Sequence, residues 1–137
     1  MQPTGILESA LYVTDLDAAE SFYGGILGLE RVARAGNRHV FFRCGAGVLL
    51  LFNGEETARP LPADARFPVP PHGTHGHGHV CFRADKDGIE RWKEHLQTHG
   101  VAIEADFEWP TGGRSIYFRD PAGNSLEFAE PVIWGIE

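Results

Sequence analysis

Two stretches of the chain decide its architecture: Arg38–Asn53, RHVFFRCGAGVLLLFN, and Arg114–Ala129, RSIYFRDPAGNSLEFA. Aligned without a gap, they match at Arg38/Arg114, Phe42/Phe118, Arg43/Arg119, Ala46/Ala122, Gly47/Gly123, Leu50/Leu126 and Phe52/Phe128, each pair 76 positions apart. Each reads as a strand, a tight turn built on Gly and Ala, and a second strand, which is a β-hairpin. Upstream, the repeat is looser. ILESALYV alternates as a strand. It leads into TDLDAAESFYGGILG, where Asp15 or Asp17 can cap a helix with Ala18, Phe22 and Ile26 on its apolar side. HVCFRA is likewise a strand, and DKDGIERWKEHLQTHG places Ile89, Trp92 and Leu96 at helical spacing before Gly100. The order βαβββ therefore occurs twice. One unit is too small to bury its own sheet face, so two units are needed.

This reading makes residues 1–137 a single α+β domain of tandem βαβββ modules. The first module covers about 5–53, a Pro- and Gly-rich connection 54–76, the second module about 77–130, and a tail 131–137. A length of 137 residues suits one such domain. The net charge of −7 and the lack of clustered Lys and Arg argue against a nucleic-acid partner. No apolar run approaches the roughly 20 residues of a membrane span, and the first residues lack a basic leader. A cytoplasmic location is expected. Cys44 and Cys81 are far apart and outside any CxxC spacing, which fits reduced thiols.

Strand alternation sorts the side chains. It puts Val40, Phe42, Leu50 and Phe52 on one face with their counterparts Ile116, Phe118, Leu126 and Phe128, uniformly apolar and suited to pack under the helices. The other face then carries His39, Phe41, Arg43, Leu49, Leu51 and Asn53, and in the second module Ser115, Tyr117, Arg119, Ser125 and Glu127. The leading strands add Glu8, Ala10 and Tyr12, and His79, Cys81 and Arg83. Glu8, His79 and Glu127 thus share the face away from the helices. Glu8 is the repeat counterpart of His79, and Leu51 that of Glu127. Two carboxylates and an imidazole on one cavity form a candidate divalent-metal set that leaves positions open for substrate or water. Such a set suits Mn, Fe, Ni, Co, Mg or Zn alike. A structural zinc site would want more Cys or His.

Three stretches, ALYVTDLDAAESFYGGILGLE, GHVCFRA and YFRDPAGNSLEFAEP, resemble the vicinal oxygen chelate superfamily, which holds glyoxalase I, extradiol dioxygenases, fosfomycin resistance proteins, methylmalonyl-CoA epimerase and bleomycin resistance proteins. The resemblance implies an open, incomplete barrel of paired βαβββ modules around a divalent metal. It also implies a homodimer acting on a small-molecule substrate. Glyoxalase-like members place ligands on the first and last strand of each module. Carried over, these positions are Glu8, Leu51, His79 and Glu127. Leu51 has no donor atom, so the implied set is Glu8, His79 and Glu127, with Glu127 or Glu8 as proton shuttle. The implied activity is that of a lyase, isomerase or dioxygenase. The alternative is a metal-free antibiotic- or metabolite-binding protein of the bleomycin-resistance type.

Around that site, Tyr12, Phe41, Leu51, Trp109 and Tyr117 are candidate pocket walls, and Arg119 a candidate anion anchor. The tract HGTHGHGH carries four histidines in residues 72–79. Of these, His79 opens a strand, while His72, His75 and His77 are expected in a loop, with a lid as one possible role. Cys81 has no neighbouring base in the sequence and is not expected to be a nucleophile.

Overall fold

The computed structural model describes residues 1–137, which form two compact units, Met1–His77 and Gly78–Glu137. The first unit holds β1 (Glu8–Tyr12), α1 (Leu16–Glu20) running on into a π-helical segment (Ser21–Ile26), β2 (Glu30–Ala35), β3 (His39–Cys44), β4 (Gly47–Phe52) and the single turn α2 (Gly54–Thr57). The second holds β5 (His79–Arg83), α3 (Lys86–Thr98), β6 (Ala105–Glu108), β7 (Arg114–Arg119), β8 (Ser125–Ala129) and a 3-10 turn (Pro131–Trp134). Each unit is one open four-stranded mixed sheet, ordered β1-β4-β3-β2 and β5-β8-β7-β6. The first strand lies parallel to the last and the other pairs are antiparallel. The repeated α+β reading of the sequence is the fold observed, and neither sheet closes into a barrel.

Asp15 is the residue that caps α1, its carboxylate accepting the Ala18 amide at 3.0 Å. The buried helix face differs from the expected one. It is Leu16, Ala19, Phe22 and Tyr23, an ordinary helical stripe begun at Leu16; beyond it the helix widens to π geometry, the Leu27 amide reaches back to the Phe22 carbonyl, and Leu27 is buried. In the second unit Asp85 caps α3 through the Gly88 amide at 2.6 Å. Ile89 and Leu96 are fully buried, and Trp92 stacks on Phe128 at 4.5 Å. Gly100, at φ +75°, supplies the left-handed residue that ends the helix.

The hairpins differ by one residue, and this overturns part of the face assignment. In the first unit Cys44 pairs with Gly47 around a two-residue turn. In the second, Arg119 pairs with Ser125, and the Asp120 amide bonds to the Asn124 carbonyl across a loop one residue longer. Directly paired residues share a face. Val40 and Phe42 therefore lie with Leu51 and Leu49, not with Leu50 and Phe52. In the second unit Ile116, Phe118, Leu126 and Phe128 do share the helix face. The ungapped alignment hides the slip because the extra loop residue is absorbed in the sequence without an insertion, and a one-residue shift reverses every side chain that follows.

The second sheet is tied at its β6 edge by charge. Arg114 grips Asp106 bidentately at 2.8 Å and reaches Glu90 at 2.6 Å, while Lys93 meets Asp106 at 2.7 Å. Hydrogen bonding from Arg114 holds the Asp106 carboxyl well below its ordinary 3.8. An unfolded chain takes up a proton near that ordinary value while the folded chain does not. The stabilisation is then complete above about pH 4 and is lost as pH falls toward the folded-state value. Asp106→Asn should cost about 1–2 kcal/mol at neutral pH. It should also flatten the decline of urea midpoints between about pH 4 and pH 2. A variant whose acid slope matches the parent would show that the pair contributes nothing.

Candidate functional site

In the second unit, Glu127 sits on the central strand β8 with Cys81 of β5 directly opposite on one side and Tyr117 of β7 on the other. His79, two residues before Cys81, falls on the same face. Its Nδ1 lies 2.9 Å from the Ser125 carbonyl. A carbonyl only accepts, so Nδ1 carries a proton, and Nε2 is left facing Glu127 Oε2 at 3.3 Å. Glu127 is 5% exposed, and its other oxygen, Oε1, is buried without a hydrogen-bond partner.

Where Nε2 carries no proton, its lone pair and that of Oε2 repel one another beside the orphaned Oε1. A proton or a cation between them relieves the repulsion. The nitrogen–oxygen donor pair fits a divalent transition ion, and Ser125 acts as the outer partner that fixes the imidazole. By themselves, however, the two residues form an incomplete set. No group of three His, Cys, Asp or Glu side chains arranged to hold a metal occurs within either unit.

The neighbours are set for hydrogen bonding and not for nucleophilic attack. Burial, together with the Glu127 charge, pushes both the Cys81 thiol and the Tyr117 hydroxyl up to about 12. Both keep their protons near neutrality, so Cys81 carries no reactive thiolate. Neither reaches Oε1. Glu127 makes no ion pair with Arg43 or Arg119. Arg43 lies 3.6 Å from Glu30, and Arg119 is committed to Glu104 at 2.7 and 3.0 Å and to the Gly123 carbonyl at 3.0 Å. Arg119, the candidate anion anchor, therefore has Glu104 as its charge partner here.

Glu8 opens β1 in the first unit, exposed and on the face of Ala10 and Tyr12. Its strand register, Glu8 against Val48, parallels His79 against Ser125, so Glu8 is the counterpart of His79. Counterpart to Glu127 is Leu50, which lies across from Ala10 as Glu127 lies across from Cys81. Leu51 lies across from Leu11 and is fully buried on the helix face. This removes Leu51 from the pocket wall, and the residue without a donor atom at the fourth position is Leu50.

The first unit carries an aromatic cluster that alternation only half revealed. Phe41 stacks on His39 at 4.1 Å, Phe52 meets Phe41 at 5.4 Å, and Tyr12 meets Phe52 at 6.1 Å. Phe52, expected beneath the helices, belongs here. So does His72, which lies in a loop as expected. Its Nδ1 lies 2.6 Å from the Tyr12 hydroxyl, its ring is 4.6 Å from Phe52, and its amide bonds to the Thr57 carbonyl. Gly73 permits this seating, since a Cβ there would stand 2.6 Å from the Gly54 carbonyl oxygen. Periodicity says nothing about a residue that reaches a sheet from a connection, so His72 had no signal beyond its tract. His75 and His77 are exposed.

Trp109 stands at the tip of the β6–β7 hairpin, held by a bond from its indole N–H to Ser115 Oγ at 2.8 Å. Phe107, which the sequence reading passed over, lies between Trp109 at 4.9 Å and Tyr117 at 5.9 Å. The alternation of ADFE was its only signal.

The family model of the Glyoxalase/Bleomycin resistance protein/Dioxygenase superfamily matches residues 5–128. Among solved structures, the chain is similar to a lactoylglutathione lyase from Agrobacterium tumefaciens, with 46% identity, a TM-score of 0.92, and coverage of 99% of this chain and 100% of that one. It is also similar to an integron cassette protein from the mobile metagenome of the Halifax Harbour sewage outfall, at 26% identity and TM-score 0.74 over 93% of this chain and 99% of that one. A virulence protein from Salmonella typhimurium matches at 26% identity and TM-score 0.68, over 95% and 98% of the two chains. No helix of the protein is long and apolar enough to cross a membrane.

Proposed function

The chain belongs to the Glyoxalase/Bleomycin resistance protein/Dioxygenase superfamily, and from that premise we propose that it is a metal-dependent enzyme, of lyase, isomerase or dioxygenase type, acting on a small molecule through adjacent oxygen atoms. The observation that carries the reading is the opposed pair His79 Nε2 and Glu127 Oε2 at 3.3 Å, with Glu127 Oε1 buried and unpartnered. Evolved proteins tolerate such a cost chiefly where function needs it. The similarity to a lactoylglutathione lyase supports the lyase class. His79 and Glu127 would hold the ion. A divalent cation, when bound, supplies Lewis acidity to substrate oxygens.

The chain's own residues supply the rest. Ser125 fixes the imidazole tautomer through its carbonyl. Glu127, low in solvent contact, is the base placed to carry a proton to and from substrate carbon or oxygen. Tyr117, holding its proton, donates a hydrogen bond to charge developing beside Glu127. The homodimer and cytoplasmic location implied by the family resemblance form part of the same proposal.

Elemental analysis of untagged protein tests the reading. About one divalent ion per chain is expected, and less than about a tenth of it in His79→Ala and in Glu127→Ala. Metal retained in both variants, but lost when His75 and His77 are replaced, would sink the proposal and leave a sticky tract. A metal-free binding protein is the second reading. It is favoured by Leu50, which puts an apolar side chain where a fourth donor would stand, and by the aromatic face of Tyr12, Phe41 and Phe52.

A further inference from the structure

We propose that the face of the second sheet running from the β6–β7 hairpin to Glu127 is an aryl-binding subsite, so that the substrate carries an uncharged aromatic group beside its metal-binding oxygens. The inference rests on the reading that His79 and Glu127 handle those oxygens.

Four rings form a continuous path. Trp109 stands across Phe107 at 67°, and Phe107, Tyr117 and His79 follow with planes within 11° and 21° of parallel at 5.9 and 6.2 Å. The register puts Phe107 opposite Ser115 and Tyr117 opposite Glu127, so the path ends at the carboxylate. Its outer end is open: Phe107 is 39% and Trp109 37% exposed. Large rings left exposed yet held rigidly are built for contact. Trp109 is held by Ser115 and by a tight hairpin in which its amide meets the Gly113 carbonyl at 2.9 Å. Gly113, at φ +89°, is needed there, because a Cβ would lie 2.6 Å from Ile133.

Charge points the same way. Of the two arginines of β7, Arg114 alternates to the opposite face, where it reaches Glu90, and Arg119, on the face of Tyr117, is paired with Glu104. The carboxylates of a peptide-like conjugate on this face would have to compete with Glu104 for it. What the face offers is π surface, which prefers a planar, neutral ring.

Two measurements separate this inference from the metal reading. The first is on metal-free protein. The Trp109 indole N–H signal, identified by its loss in Trp109→Phe, is followed by NMR during titration with benzyl alcohol and with propan-1-ol. A saturable shift with benzyl alcohol alone is expected, abolished in Phe107→Ala and in the volume-keeping Phe107→Leu. The same response to both alcohols, or one surviving both variants, overturns the subsite. The second is on metal-loaded protein with mandelate and lactate, two 2-hydroxy acids that differ in a phenyl for a methyl group. Mandelate should bind about tenfold or more tightly, and Phe107→Ala should collapse the ratio while leaving lactate unchanged. Equal affinities, or tighter binding of S-lactoylglutathione than of mandelate, would overturn the inference. If neither acid binds but benzyl alcohol still shifts Trp109, the metal reading fails and the subsite stands.

Discussion

Glu127→Leu is expected to be more stable than the parent protein in chelator and less stable than it in excess metal. Without a cation, Glu127 keeps Oε1 in the interior without a partner, while Oε2 faces His79 Nε2 at 3.3 Å. Leaving a buried polar atom unsatisfied costs about 1–3 kcal/mol, more if it is charged, and an apolar replacement of similar volume recovers that cost. The same fold position in the first unit is Leu50, so leucine is already known to fit this strand environment. His79 stays half in water after the change, with 50% of its side chain exposed, and incurs little penalty of its own. With the ion present the order reverses, because a ligand bound only to the folded state stabilises by about 2.7 kcal/mol at a hundredfold excess over Kd. Urea midpoints in chelator and in saturating metal are the measurement. A variant less stable than the parent under both conditions would mean that Glu127 is a satisfied structural residue. A gain in chelator with no crossing in metal would keep the burial cost but remove the cation that explains it.

How far this site was legible in the sequence depends on which physical signal carried each residue. His79 and Glu127 were found by alternation, since β5 and β8 run without irregularity and both residues fall on the face away from α3. The repeat gave the strand order, because the five matched apolar or glycine positions mark two equivalent hairpins even though their turns differ by one residue. The failures cluster where chain length and geometry part company. The one-residue difference between the Gly45–Ala46 turn and the loop 121–123 leaves no gap in the alignment, yet it exchanges Leu50 with Leu51 and sends Phe52 to the opposite face. The buried stripe of α1 starts at Leu16 and so takes Ala19 in place of Ala18, and the π-helical widening after Glu20 brings Leu27 into the core, where single-period reasoning assumes 3.6 residues per turn. His72 and Arg119 illustrate a third limit. What a polar side chain does depends on its partner, and the Tyr12 and Glu104 partners lie 60 and 15 residues away in sequence.

The exchange of Leu50 with Leu51 makes the second large prediction. Leu51→Glu should abolish folding, whereas Leu50→Glu should leave a folded protein. Leu51 is fully buried, across from Leu11 on one side and Val40 on the other, each itself within a few per cent of full burial. A carboxylate there has no partner on the helix face, and the penalty of several kcal/mol consumes most of a stability that is only about 5–15 kcal/mol for a domain. Truncation without charge is milder: Leu51→Ala should cost about 2–5 kcal/mol through the cavity it leaves. Leu50 is buried as well, at 7% exposure, but it points to the opposite face, between Ala10 and Phe41. In the second unit the equivalent position holds a carboxylate, Glu127, between Cys81 and Tyr117. Circular dichroism and urea unfolding of the three variants decide the matter. Should Leu50→Glu unfold while Leu51→Glu survives, the β3–β4 register would be that of the ungapped repeat, and Leu51 would again stand where Glu127 stands.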